Sequence, residues 1–188
     1  MLLGLLLASA IASEASPSYN EQAKEVSDRI ELGFKLCAKH VVREGILSVE
    51  HQDELKQLGA RMIDTVPQDV RENSGPLFAS NPIFAKIGET GSNVYITTAP
   101  NSFACRIAVS DSQAVLKARI DFVDRLRATS SWTYDTKRSG TSNGYMKDEL
   151  VINSGHMITI VNGPQYIRDN GNGIQVFITV ALIPKETK

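Results

Sequence analysis

Gly140-Thr141-Ser142-Asn143-Gly144 has the form G-x-S-x-G, the pattern that holds a nucleophilic serine on a strained turn between a strand and a helix. Asp148 and His156 follow it and complete the residue types that acyl transfer needs, so a small secreted hydrolase using Ser142, Asp148 and His156 is the enzymatic reading. Its context argues against it. A β-rich run, not a helix, follows Gly144, and Asp135 to Ser139 before the motif is too polar for a buried strand. The three residues also fall on one or two adjacent strands, whereas a triad converges from distant loops. The same five residues read better as a plain hairpin loop.

Cys37-Ala38-Lys39-His40 puts a thiol and an imidazole three residues apart on one helix face, with Cys105 available as a third zinc ligand. No fourth ligand is evident, and His40 falls one step off the apolar stripe, so no metal site is expected. His51, with Glu50, Asp53 and Glu54 around it, fits the acidic, solvated first turn of a helix. Trp132 and Tyr134 alternate on one strand with Lys137 and Arg138 nearby, which makes them a candidate binding surface for stacking on sugars or peptides. The competing reading is that both rings are core. Asp169-Asn170-Gly171-Asn172-Gly173 is rich in oxygen ligands but lacks the alternating acids and distal Glu of a calcium loop, and reads as a turn. The chain has no GxGxxG, GxxxxGK[ST] or CxxCH, and no cofactor is expected.

The elements that position these residues follow from periodicity. Val26, Ile30, Phe34, Cys37 and Val41 recur every three or four residues and predict a helix over 20–41 with Cys37 inward. Ser48 as a cap, early acids and the stripe Leu55, Leu58, Met62 predict a second helix over 48–65, stopped by Pro67. The turn-forming residues of 68–89 predict a loop. Ser110 and Asp111 cap a predicted helix over 111–127 that turns Val115, Leu116, Ile120, Val123 and Leu126 to the core. Predicted strands cover 93–98, 103–109, 131–136, 145–152, 157–161 and 174–183. The fold class is α+β: one antiparallel β-sheet of about six strands covered on one face by two to three α-helices, in the order α-α-β-β-α-β-β-β-β.

Residues 1–12, MLLGLLLASAIA, form a leucine-rich run closed by an A-x-A site, which reads as a signal peptide released near Ser13 and leaves 13–188 as a single domain. The run lacks the usual leading basic residues, and at ~20 residues for a membrane span it is too short to cross. The expected compartment is therefore periplasmic or secreted, with no stable membrane insertion after leader removal. In that compartment Cys37 and Cys105, which strand alternation also turns inward, are expected to form a disulfide of ~3–4 kcal/mol.

The chain is 42% hydrophobic, enough to build a core, and its net charge of -1 supplies no long-range field for phosphates. Nucleic acid is not an expected partner. What remains is a non-enzymatic exported protein that binds an envelope component or another protein through a sheet face or the 68–89 loop.

Overall fold

The computed structural model describes residues 18–74, 81–89, 93–100, 102–110, 114–154, 156–164 and 174–183. The predicted leader and the Asp169 to Gly173 turn lie outside these residues. The chain runs α1 (Tyr19–Lys39), a π-turn (His40–Glu44), a 3-10 turn (Val49–His51), α2 (Gln52–Gln57), β1 (Ala60–Ile63), α3 (Gln68–Asn73), β2 (Ile83–Ile87), β3 (Asn93–Thr98), β4 (Ala104–Ser110), α4 (Val115–Ala128), β5 (Trp132–Tyr134), β6 (Gly140–Ser142), β7 (Tyr145–Ile152), β8 (Met157–Pro164) and β9 (Ile174–Leu182). Among the described residues one sheet holds all nine strands, in the order β1-β2-β3-β4-β9-β8-β7-β5, with β6 also on β7. Every pairing is antiparallel.

Helix α1 begins at a capping box: Ser18 N–H donates to Glu21 Oε2 at 2.7 Å and Glu21 N–H donates to Ser18 Oγ at 3.4 Å, which satisfies two amide groups that a helix start leaves open. Its buried stripe, Val26, Ile30, Gly33, Leu36 and Cys37, lies on the middle strands. Gly33 permits the close approach, since a Cβ there would stand 3.1 Å from Ile87 Cδ1 and 3.4 Å from Ile107. Cys37 is bonded to Cys105 of β4, with the Cα atoms 5.3 Å apart. Helix α4 lies beside α1 over β8 and β5, and Phe34 meets Phe122 and Trp132 edge-on at 5.5 and 5.7 Å. These three rings join both helices to the far strands.

Several expectations are corrected. The sheet has nine described strands, not about six. The predicted helix over 48–65 ends at Gln57, because Gly59 takes φ +78 and turns the chain into β1, a conformation that glycine adopts without penalty. Leu55 stays buried, Leu58 is exposed, and Met62 reaches the core from an edge strand. Ser48 makes no cap bond to the backbone, and its Oγ lies 2.9 Å from His51 Nδ1 instead. The predicted 68–89 loop contains α3 and β2.

Helices are not confined to one face either. α3 covers part of the opposite face, where Val70 packs with Tyr95 and Ala108. Arg106 crosses that face, donating to Asn73 O at 2.6 Å and Thr179 Oγ1 at 3.2 Å. On α4, Ile120 is 44% exposed and Arg119, at 1%, takes the inward place.

The G-x-S-x-G segment is a hairpin. Ser142 pairs with Tyr145, so Asn143 and Gly144 alone make the turn, at φ +51 and +78. Positive φ at both central residues is the signature of the two-residue turn whose twist matches the flanking strands. Replacing Gly144→Ala should cost about 1–2 kcal/mol, read as a lower denaturant midpoint with the far-ultraviolet dichroism unchanged.

Candidate functional site

The structure does not bring Ser142, Asp148 and His156 together. Ser142 sits at the Tyr145 end of the β7–β8 pair, while His156 is exposed just before β8, beside the end where Val151 pairs with Ile158. Those ends are separated by ~20 Å of strand. Asp148 lies between them with its carboxylate turned to the helix side, where Arg119 Nη2 donates to Oδ2 and Tyr134 Oη–H donates to Oδ1 at 2.8 Å. Cys37 and Cys105 are bonded to each other and free for no ligand. Among the described residues no group of three metal-ligating side chains forms.

Trp132 and Tyr134 face the helices. Both are half-buried and packed on the main core, and the Arg127 guanidinium stands 4.6 Å over the Tyr134 ring. They line the seam between α4 and the sheet edge, so the core reading describes them better than a stacking surface does.

The register explains the buried charge. One row across the helix side runs Ala85, Ile96, Ile107, Ile178, Val161 and ends on Asp148. A carboxylate at the end of an apolar row needs a cation, and Arg119 supplies it from α4. Gly163 makes the space: a Cβ there would stand 3.0 Å from Arg119 Cδ and 2.9 Å from Val176 Cγ2. Among the described residues Arg119 Nε is buried without a partner. Removing one member alone strands the other, so Arg119→Met should cost about 3–5 kcal/mol, and the double variant Arg119→Met/Asp148→Leu should recover most of it. A double-mutant cycle by urea unfolding measures this; equal losses in single and double variants would contradict it.

The site with the chemistry of a binding surface lies on the other face. Arg61 of β1 is directly opposite Lys86 of β2, and Lys86 is opposite Tyr95 of β3. These side chains and the segment Ile63 to Pro67 enclose a groove of about 570 Å³. Lys86 Nζ stands 5.9 Å from the Tyr95 ring centroid. Among the described residues neither Arg61 nor Lys86 has a carboxylate within ion-pair distance, and Asp64 in the groove wall is paired with neither. Like charges directly opposite on adjacent strands repel, and an anion between them would relieve the repulsion.

Sequence reasoning missed this pair because Arg61 fell in a predicted helix and Lys86 in a predicted loop. The alternation of Phe84 and Lys86 against Ile83, Ala85 and Ile87 was the available signal. Compared with known proteins, the chain matches no family model, and no curated protein and no solved structure is significantly similar to it.

Proposed function

We propose that this is a single-domain, exported, non-enzymatic binding protein of the cell envelope, and that it holds an acidic segment of a protein partner in the Arg61–Lys86–Tyr95 groove. The observation that carries the reading is the cross-strand pair of cations, neither of which makes an ion pair among the described residues. A sheet gains nothing from opposing two cations, whereas a carboxylate entering the groove makes charge-assisted hydrogen bonds to both. Tyr95 offers an aromatic wall for the apolar part of the same segment.

Export is supported by the apolar run of residues 1–12 and by the Cys37–Cys105 bond, which persists in oxidising compartments. Among the described residues no helix is long and apolar enough to cross a membrane. With a net charge of -1 the attraction is local, so binding should weaken steeply with salt as exposed charges are screened.

A fluorescein-labelled tetraglutamate peptide tests the groove by anisotropy. Lys86→Glu should abolish its binding and raise folding stability by about 0.2–1 kcal/mol, because the like-charge pair becomes an opposite one. No peptide binding by the unmodified protein, or binding untouched by Lys86→Glu, overturns the reading. Mass spectrometry of the native protein tests export separately: a chain beginning near Ser13 is expected, and an intact Met1 on a cytosolic protein contradicts it.

A further inference from the structure

His40 ends α1 and opens the π-turn His40–Glu44, and its backbone N–H is shared between Leu36 O and Cys37 O. The π-turn closes on Gly45 at φ +64, an ordinary left-handed helix end, and it carries His40 to the β3–β4 turn. The side chain is only 7% exposed. Its Nε2 lies 3.3 Å from Ala99 O, a contact spanning 59 residues, and because a carbonyl only accepts, Nε2 carries the proton. Nδ1 is buried and has no partner among the described residues.

Ala99 O has a second task. Ser102 N–H donates to it at 3.0 Å and closes the turn between β3 and β4, with Pro100 in the position that presets such a turn. The turn continues into Ala104, whose carbonyl accepts from Thr98 Oγ1 at 2.9 Å and from Ser102 Oγ at 2.8 Å. The β3–β4 hairpin is thus held to α1 twice, by the covalent bond at Cys105 and by the imidazole at Ala99.

We infer that His40 is an acid-released latch: neutral, it pins the Ala99–Ser102 turn to the end of α1; protonated, it keeps the Nε2–H donor, but its buried charge drives the ring out to water, and the turn is let go. Protonation adds a hydrogen at Nδ1, where no acceptor waits, and places a charge in an apolar surround. Among the described side chains little offsets that charge. β9, packed against the π-turn, carries no ionisable residue, and the one on β4, Arg106, reaches over the opposite face to Asn73. Ala99, Pro100, Ser102 and Phe103 of the turn cannot titrate, and the described charges of α1 nearest in sequence, Lys39 and Lys35, are cations that disfavour a second positive charge. The cystine does not titrate.

Burial lowers the His40 pKa, and the Ala99 carbonyl raises it by less. The sign follows from linkage. The unfolded chain takes up the proton at the ordinary histidine value of ~6.5 and the folded chain only at lower pH, so stability held above that value is lost as pH falls through the window below it.

Hydrogen exchange on the full-length, disulfide-intact protein tests the latch. After correction for intrinsic rates, protection of the Ser102 amide should fall several-fold between about pH 7.5 and about pH 5, and His40→Gln should remove that dependence. If His40→Gln does not fold, NMR titration of the wild-type imidazole decides: a midpoint below ~6.5 that coincides with loss of Ser102 protection supports the latch. Ser102 protection that is flat across this range, a pH dependence unchanged by His40→Gln, or an imidazole midpoint at or above the free value would overturn it.

Discussion

The contact between α1 and the central strands organises everything else in the molecule. The helix presents Gly33 to Ile87 and Ile107 at van der Waals distance and Cys37 to Cys105 at bonding distance. A Cβ at residue 33 would stand 3.1 Å from Ile87 Cδ1 and press it aside. With the helix seated there, Phe34 meets Phe122 and Trp132, and the seam between α1, α4 and β5 closes. The end of α1 is carried to the β3–β4 turn by the same seating, which is why His40 meets Ala99.

The two sides of the sheet solve different problems. On the helix side an apolar row runs out at Asp148, and Arg119 and Tyr134 are spent on satisfying it. Such a buried pair adds little stability over apolar residues of the same size, and it ties α4, which packs on β8 and β5, to β7 between them. On the other side α3 covers only a patch around Tyr95 and Ala108, anchored by Val70 and Arg106. Burial of Arg106 lowers its pKa from the ordinary arginine value. Beside that patch, toward the β1 edge, lies the cationic groove.

Much of this was legible in the residues. The period of 20–41 placed Cys37 inward, and the runs 93–98 and 145–152 coincide with β3 and β7 to the residue. The absent strand-to-helix context of Gly140 to Gly144 already argued for the hairpin that stands there. What was not legible depended on contacts distant in sequence. Leu55, Leu58 and Met62 fit a helical stripe, and Gly59 is a permitted residue inside one; only pairing of Ala60 with Ile87 makes 60–63 a strand. Ile120 and Arg119 exchanged places because the cost of burying a guanidinium is met by Asp148, 29 residues away. The Arg61–Lys86 groove depends on pairing two unread strands: the alternation around Lys86 could show β2, but no local pattern could show that Arg61 stands opposite it.

Because the cystine joins α1 to the middle of the sheet across 68 residues, its removal tests most directly whether that contact organises the fold. The measurement is urea unfolding of the oxidised protein beside Cys37→Ala/Cys105→Ala. A loss of roughly 3–4 kcal/mol in one cooperative transition is expected, with α1 and the sheet unfolding together. An unchanged midpoint, or a helix that melts while the strands remain protected, would contradict it.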